Sequence, residues 1–259
     1  MDLEDAVPLA EKDAAREAVA TWLAEQPADG PLELWVRVNP GDRGLDDVRR
    51  LAGSPALAGL ALAKADAATV AAVAQLLDDL GDRTTRLMPL VETPAAVLDV
   101  RAIAAGPRVH RLQVGEVDLT GEAGIDPGPD ERELLAIRTM VVLASAAAGI
   151  EPPVGPVSRI TSDVEALTAS TRAVARLGFV GRACIHPAQL PVVHDVFTPT
   201  PEQVEEARAT LQLLAEAERR GSGVALDAQG RLVDPAVVHA ARRVLALHEL
   251  AERSNGAVP

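Results

Sequence analysis

The sequence predicts an α/β fold, and within that class a (β/α)8 barrel. Short apolar runs alternate with longer alanine-rich segments of helical period, and strand-then-helix repetition at this spacing is typical of a parallel sheet. Polar residues close several predicted strands, at the end where a barrel carries its active site. A doubly wound nucleotide-binding sheet would need a glycine-rich turn after its first strand, and neither G-x-G-x-x-G nor G-x-x-x-x-G-K-[ST] occurs.

Six strands follow from runs rich in leucine and β-branched residues. They cover residues 32–38, 57–63, 87–91, 109–114, 153–160 and 180–185. Helical periodicity predicts helices over residues 10–24, 67–80, 94–104, 130–148 and 163–177. Residues 2–7 have the composition of a strand that runs into a loop. Because a closed barrel needs eight strands, we expect a part of the barrel in front of these residues to be missing.

The pattern changes after Pro187. A helix is predicted over residues 201–219, with Thr200 as its N-cap and Pro201 at its first position. Residues 221–230 interrupt the helical period, which resumes over residues 235–252. We therefore expect a barrel domain over residues 1–198, incomplete at its N-terminus, and a C-terminal helical segment or lid over residues 199–259.

Composition excludes several classes of partner. The 259 residues carry a formal net charge of −13, which argues against binding to nucleic acid or to anionic lipid. One cysteine, Cys184, excludes an internal disulfide, and no cysteine or histidine spacing resembles a zinc site. The apolar runs are too short for a membrane span, and the N-terminus has no secretory signal. We expect a cytoplasmic protein.

Two carboxylates follow successive predicted strands. Glu92 stands in Leu-Val-Glu-Thr-Pro and Asp118 in Val-Gly-Glu-Val-Asp-Leu. Adjacent barrel strands bring both side chains to one rim, where oxygen ligands suit a Mg²⁺ ion that keeps several waters. Alternatively, each carboxylate caps the helix that follows it. The residues by themselves leave both readings open.

Two cations are also candidates for the site. Arg37 lies inside an apolar strand, and a buried cation needs an anionic partner. That partner is either a substrate carboxylate or a structural ion pair with Glu4 or Asp5. Lys64 closes the next strand and either binds an anionic substrate group or extends into solvent. His186 closes the last predicted strand, where a structural role is favoured over acid–base chemistry.

Six short motifs occur in a fixed order over nearly the whole chain. They are Asp-Leu-Glu-Asp-Ala-Val at 2–7, Val-Arg-Val-Asn-Pro at 36–40, Val-Glu-Thr-Pro at 91–94, Gly-x-x-Asp-Leu at 115–119, Leu-Gly-Phe-x-Gly at 177–181 and Ile-His-Pro-x-Gln at 185–189. The ordered set resembles the citrate lyase β-subunit-like family of the HpcH/HpaI aldolase superfamily. The resemblance implies a Mg²⁺-dependent TIM barrel of the phosphoenolpyruvate/pyruvate type. Against the family pattern, we expect the first strand and helix to be missing, through a misplaced start or a truncated gene.

The same resemblance implies roles for individual residues. Glu92 and Asp118 match the metal ligands, and Glu92 also borders the substrate. Arg37 and Lys64 match substrate contacts, with Arg37 acting at the metal. Asp234, in Arg-Leu-Val-Asp-Pro, matches a catalytic aspartate that reaches a neighbouring subunit's active site, so a homotrimer or hexamer is implied. Glu4 and Asp5 are expected just behind these residues.

The implied activity is a carbon–carbon lyase that cleaves or forms a 3-hydroxyacyl-CoA, such as malyl-CoA or citramalyl-CoA, with an acyl-CoA and a 2-oxo acid as the other partners. An aldolase acting on a CoA-free, pyruvate-derived substrate is an alternative, as is a non-catalytic remnant or complex subunit. The chain departs from the family pattern at Ala63, Val117 and Arg182, where proline, an acidic residue and lysine are usual.

Overall fold

Four parallel strands in sequence order lie at the centre of the fold. They are β1 (Leu34–Val38), β2 (Leu57–Leu62), β3 (Arg86–Val91) and β4 (Gln113–Val114). Single parallel bridges extend this sheet on both sides, joining Asp2 to Arg37, Gln113 to Val154 and Gly155 to Arg182. Seven consecutive parallel segments result. The parallel α/β class is thus confirmed, while a closed barrel of eight strands and the missing first strand stay predictions.

The computed structural model describes residues 1–227 and 229–255. Its contacts divide the chain into two units, Met1–Val193 and His194–Pro259. The boundary expected from the sequence, at residues 198 and 199, stays a prediction. Within the described residues, no helix combines the length and the apolar character that a membrane span requires.

Nine helices are found among the described residues up to 197. They are α1 (Lys12–Ala24), α2 (Gly41–Leu51), α3 (Ala67–Asp79), α4 (Pro94–Leu98), α5 (Val100–Ala104), α6 (Glu116–Ala123), α7 (Leu135–Ala148), α8 (Val164–Leu177) and α9 (Leu190–Phe197). Helices α1, α3, α7 and α8 were predicted from the helical period of the sequence. One helix was expected over residues 94–104, which the structure divides at Asp99.

Helix α2 was not predicted, because its many charged residues conceal a narrow apolar stripe. Val48 and Leu51, three positions apart, are buried, and they give the helix its packing face. Gly44 is required by close packing, since a Cβ there would lie 1.9 Å from the Asn39 carbonyl oxygen. The predicted strands over 109–114, 153–160 and 180–185 are also shorter in the structure, the last two being reduced to isolated bridges.

A buried carboxylate joins α1, α2 and the end of β1. Asp47 is fully buried and accepts hydrogen bonds from the Asn39 backbone N (3.0 Å), Asn39 Nδ2 (2.7 Å) and Arg16 Nε (2.6 Å). Asn39, a polar residue at a strand end, is therefore committed to the scaffold.

Aromatic packing fills the space near the amino ends of the strands. The Trp35 and His110 rings are stacked with centroids 5.9 Å apart, and the Arg86 guanidinium lies 5.2 Å from the Trp35 ring centroid. Gly59 makes room for the indole, because a Cβ there would lie 2.2 Å from it. This layer leaves the opposite, carboxyl ends of the strands as the open end.

The second unit is a helical hairpin with a short antiparallel ribbon. It contains α10 (Pro201–Arg219), β5 (Ala225–Leu226), β6 (Leu232–Val233) and α11 (Pro235–Asn255). Thr200 and Gln203 form a capping box, which confirms the predicted start of α10. Its core joins Leu214, Val233 and Val238. The ribbon lies partly in the segment predicted only to interrupt the helices.

We expect Asp47→Ala to lower the free energy of unfolding by about 3 kcal/mol, because it leaves Arg16 Nε and the Asn39 amide without their acceptor. Urea denaturation measures this loss. Asp46→Ala is the matched control, since Asp46 is exposed and pairs only with Arg49 on the surface; its loss should stay below about 0.5 kcal/mol. Equal losses for the two variants would contradict the role given to Asp47.

Candidate active site

A cavity of about 590 Å³ occupies the interior of the sheet and opens at the carboxyl ends of the strands. Each of the seven parallel segments, or the residues just after it, contributes to its wall. Charged side chains gather at this end: Asp2, Asp5, Arg37, Glu92 and Asp118 all line the cavity. This is the rim at which a parallel barrel carries its chemistry.

Glu92 is the most deeply buried carboxylate of this cavity. It directly follows β3, its residue is 3% exposed, and its Oε1 accepts a hydrogen bond from the Lys64 backbone N at 2.5 Å. Burial raises the pKa of Glu92 to about 7, and the charges of Asp118 and Glu4 push it in the same direction. Its ionised form therefore needs a cation.

Glycine at position 115 makes the placement of Glu92 possible. A Cβ on Gly115 would lie 2.5 Å from both the Cβ and the Oε2 of Glu92. The opposite side is set by Lys64, whose backbone has a φ of 48°. This left-handed conformation is uncommon for a lysine, and it occurs where the Lys64 amide meets the carboxylate.

Asp118 lies in the first turn of α6, which begins directly after β4 and Gly115. Its side chain is 42% exposed, and Lys64 Nζ lies 3.9 Å from its Oδ1. The structure therefore brings together Glu92, Asp118 and Lys64, as predicted from their positions after successive strands.

The donor set fits Mg²⁺ better than a transition metal. Among the residues that the structure describes, no three histidine, cysteine or acidic side chains are grouped to hold a metal. Mg²⁺ commonly uses one or two protein carboxylates and retains several waters, whereas zinc requires three or four protein ligands. Two acidic side chains, one buried and one accessible, meet the first requirement, and the raised pKa of Glu92 marks a place where a cation is stabilising.

Arg37 is held by three carboxylates. Its Nε and Nη2 donate to the two carboxylate oxygens of Asp2 (2.8 and 2.5 Å), and its Nη1 lies 3.0 Å from Glu4 and 3.4 Å from Asp5. The hydrogen bonds that Arg37 donates to Asp2, with the neighbouring negative charges, raise the pKa of Arg37 despite its partial burial. The ion pair with Glu4 and Asp5 is confirmed. Asp2, the bidentate partner, was missed because its backbone pairing with β1 is not visible in the sequence.

Glu4 is also buried, and burial is the main cause that raises the pKa of its carboxyl. Lys12 Nζ donates to the carbonyl oxygens of Leu3 and Glu4 at 2.9 and 2.8 Å, which fixes this segment to α1. Since the charge of Glu4 contributes to the raised pKa of Glu92, the two carboxylates belong to one electrostatic group.

The sequence profile of the HpcH/HpaI aldolase/citrate lyase family matches residues 1–187. The chain belongs to this family. It is 36% identical over 251 residues to a (3S)-malyl-CoA thioesterase of Cereibacter sphaeroides, which covers 96% of this chain and 85% of that protein. It is 31% identical over 257 residues to citrate lyase subunit beta of Haemophilus influenzae, covering 94% and 86% of the two chains. The resemblance predicted from the ordered motifs is thus confirmed.

Solved structures of the HpcH/HpaI aldolase/citrate lyase type share the fold. The CitE protein of Mycobacterium tuberculosis, crystallised with magnesium, acetoacetate and coenzyme A, is 30% identical with a TM-score of 0.74 and covers 96% of this chain and 88% of its own. A citrate lyase from Burkholderia xenovorans superposes with a TM-score of 0.78 over 100% of this chain and 84% of its own. At 23% identity this second likeness concerns the fold alone.

A second acidic residue of α6, Glu116, pairs with an arginine, whereas Asp118 pairs with Lys64. Glu116 receives two hydrogen bonds from Arg138, from Nε at 2.6 Å and from Nη2 at 2.7 Å, and both residues are buried. Arg138 Nη1 also lies 2.8 Å from Glu131. These contacts fix the first turn of α6 against α7 and so hold Asp118 in position. The sequence carries no local signal for a pair 22 residues apart.

Two further candidates are placed by local contacts. His186 is exposed, and its Nδ1 accepts a hydrogen bond from the Ala188 backbone N at 3.1 Å, which is the structural role favoured from the sequence. Asp234 belongs to the second unit, where its Oδ1 accepts from the Val237 backbone N at 3.2 Å at the start of α11.

Glu92→Gln should stabilise the metal-free protein at high pH. The folded-state pKa of about 7 lies above the ordinary glutamate value of 4.5, so the unfolded chain loses this proton at lower pH than the folded chain does. Stability therefore falls as the pH rises through that window, and the loss is complete above it. With EDTA present, we expect the free energy of unfolding of the variant, relative to that of the wild type, to rise by about 1–3 kcal/mol from about pH 5 to about pH 8.

Urea denaturation at the two pH values measures this difference. Glu122→Gln removes an exposed carboxylate from the same helix, α6, as Asp118 and is the control, with an expected change below about 0.5 kcal/mol at either pH. A difference between Glu92→Gln and wild type that does not depend on pH would show that burial does not control this carboxyl.

Proposed function

We propose that this chain is a Mg²⁺-dependent carbon–carbon lyase that cleaves or forms a 3-hydroxyacyl-CoA, with an acyl-CoA and a 2-oxo acid as the other partners. The observation that carries the proposal is the pair Glu92 and Asp118 at the open end of the cavity. One carboxylate is buried with a raised pKa, the other is accessible, and the ammonium of Lys64 at 3.9 Å from Asp118 is the sole cation that forms an ion pair with either of them among the described residues.

In this proposal Glu92 and Asp118 hold the metal. When bound, Mg²⁺ supplies a Lewis acid that polarises the carbonyl of the 2-oxo acid and stabilises negative charge on its oxygen. The Lys64 amide orients the Glu92 carboxylate, and the Lys64 ammonium is available to an anionic substrate group. A cytoplasmic location agrees with the acidic composition.

Arg37 has a positioning and electrostatic role at the same end of the cavity. Because Asp2, Glu4 and Asp5 fix its guanidinium, its charge stays at one place in the wall and adds to the stabilisation of developing negative charge. Glu4 and Asp5 then support the site through Arg37. Direct contact of Arg37 with a substrate carboxylate remains part of the proposal.

The proton balance requires an acid–base group. In the cleavage direction the substrate hydroxyl loses its proton as the carbon–carbon bond breaks, and the acyl-CoA enolate takes up a proton at carbon while its thioester stays intact. We assign the proton transfer to Asp234 of a neighbouring copy in a homotrimer or hexamer. A catalytic role of this kind needs an ionisable carboxyl, which asparagine lacks.

The comparisons support the substrate class. The M. tuberculosis relative was crystallised with magnesium, a 3-oxo acid and coenzyme A, and the H. influenzae relative is a citrate lyase subunit. The C. sphaeroides relative is instead a thioesterase. Hydrolysis of a malyl-CoA thioester is therefore the second candidate function, and it differs in its products, since hydrolysis releases the free thiol of coenzyme A.

We expect Mg²⁺-dependent release of a 2-oxo acid from a panel of 3-hydroxyacyl-CoA thioesters, abolished by EDTA. Glu92→Gln and Asp118→Asn should each lower turnover at least about 100-fold, because each removes a metal ligand. Asp234→Asn should lose turnover while keeping Mg²⁺ affinity, since it retains the helix cap. The 2-oxo acid and the free thiol are measured in parallel.

The outcomes separate the candidates. Free thiol without a 2-oxo acid would replace the lyase by the thioesterase. Turnover of a CoA-free substrate alone would favour the aldolase, and a folded chain without Mg²⁺ binding or turnover would favour the non-catalytic subunit. Full Mg²⁺-dependent turnover by Glu92→Gln or by Asp118→Asn would overturn the assigned ligands.

Gly115→Ala tests the geometry of the site with both carboxylates retained. The added methyl group would lie 2.5 Å from Glu92, so the carboxylate must shift, and we expect Mg²⁺ affinity to fall at least about tenfold in a calorimetric titration. Gly181→Ala is the control, because a Cβ at that position has no neighbour within 4 Å. Unchanged affinity in Gly115→Ala would mean that Glu92 does not bind the metal from this position.

A further inference from the structure

A second cavity, of about 440 Å³, adjoins the first. The two share Val117 and Val157 as lining residues, and the first turn of α6 separates them, with Asp118 on one side and Glu116 on the other. The second cavity has the size of small-molecule sites in other proteins. None of the residues to which the proposed function assigns a role lines it.

The wall of this second cavity contains a buried arginine, Arg182, which is 7% exposed. Its Nε donates to the Pro156 carbonyl oxygen at 3.0 Å, and its Nη1 donates to Ser170 Oγ at 2.9 Å and to Thr171 Oγ1 at 3.2 Å. All three acceptors are uncharged. Within the described part of the chain, no carboxylate oxygen lies within 4.0 Å of a guanidinium nitrogen of Arg182, so Arg182 forms no ion pair there.

The nearest carboxylates are engaged elsewhere. Glu116 and Glu131 both bind Arg138, and Arg182 reaches Glu131 only through the hydroxyl of Ser170. Burial lowers the pKa of Arg182, although the charge of Glu131 partly offsets this. A buried cation without a direct counter-ion is costly, so a bound anion at its free Nη2 would be stabilising.

A second arginine borders the cavity on a rigid loop. Arg159 is exposed and forms no ion pair with the residues that the structure describes. The loop is fixed on both sides of it, because the buried Gln189 donates from Nε2 to the carbonyl oxygens of Ser158 (2.8 Å) and Ile160 (2.9 Å). Arg159 is thus presented to the cavity from a preorganised backbone.

The remaining wall is largely apolar. Val117, Ile125, Val157 and Ile160 line it, beside the carboxylates Glu116, Asp126 and Glu131. Two arginines with nearby acidic groups favour a ligand of single charge over a doubly charged phosphate, and the apolar side chains favour an aliphatic tail.

We propose that this second cavity is a binding site for a short-chain aliphatic carboxylate, whose charged group lies between Arg159 and Arg182 and whose tail contacts Val117 and Ile160. The site is separate from the carboxylate pair Glu92 and Asp118. Binding therefore does not require Mg²⁺.

Calorimetric titration of the full chain with hexanoate tests this site, with EDTA present throughout. We expect saturable binding of one hexanoate per chain, and binding of hexanol, which has the same tail without the charge, at least tenfold weaker. Arg159→Ala should weaken hexanoate binding about tenfold. Arg172→Ala, which removes an exposed arginine outside the cavity, is the matched control and should bind as the wild type does.

Gly121 gives a second variant that does not depend on removing an arginine. It lines the cavity in α6, and a Cβ there meets no atom within 4 Å. Gly121→Glu therefore adds a carboxylate at the cavity wall and should abolish hexanoate binding. Gly121→Ala is its neutral control and should retain binding.

Three results would overturn the proposal. They are no saturable binding of hexanoate to the folded wild type, hexanoate binding by Arg159→Ala and Gly121→Glu as tight as that of the wild type, or an affinity for hexanol equal to that for hexanoate. Displacement of hexanoate by an equal concentration of inorganic phosphate would overturn the assignment to a carboxylate. Since Mg²⁺ and turnover take no part in these titrations, their failure is distinguishable from failure of the proposed lyase activity.

Discussion

The burial of one carboxylate, Glu92, is the constraint around which the carboxyl ends of the parallel strands are organised. A carboxylate at 3% exposure needs a hydrogen-bond donor, space and a cation. The Lys64 backbone N supplies the donor, at a left-handed φ, and Gly115 supplies the space. Among the described residues no cationic side chain forms an ion pair with Glu92, and in the proposed function Mg²⁺ would supply the positive charge there.

The distribution of the arginines explains why that position stays open. Arg37 is surrounded by Asp2, Glu4 and Asp5, and Arg138 by Glu116 and Glu131. Within the described residues, neither of these guanidinium groups forms an ion pair with Glu92 or Asp118. They stiffen the walls, since a fork of donors bound to several carboxylates permits little rotation. The site thereby combines a fixed frame with acidic side chains that retain capacity for a ligand.

The scaffold behind the site is also held together by buried polar side chains, one charged and one neutral. Asp47 in α2 accepts hydrogen bonds from the end of β1 and from α1. Gln189, in the segment before α9, donates hydrogen bonds to the loop over residues 158–160. Each is a single buried polar side chain that satisfies several donors or acceptors from different elements. Such connections cost little when complete and are destabilising when one partner is lost. They explain how short strand segments, three of them joined to the sheet by isolated bridges alone, still position side chains at one rim.

The sequence by itself determined the parallel α/β class, the order of its main elements and the candidates Glu92, Asp118 and Lys64. These follow from local periodicity and from position after a strand, and parallel strands bring their carboxyl ends to one edge whatever the details of packing. Only the tertiary structure decided which polar residues remain available. By their positions after a strand, Asn39 and Glu116 look equally suitable as site residues. In the structure, however, Asn39 is hydrogen-bonded to Asp47 and Glu116 to Arg138. Partners 8 and 22 residues apart are chosen by how the helices pack on the sheet, and no local pattern encodes that choice.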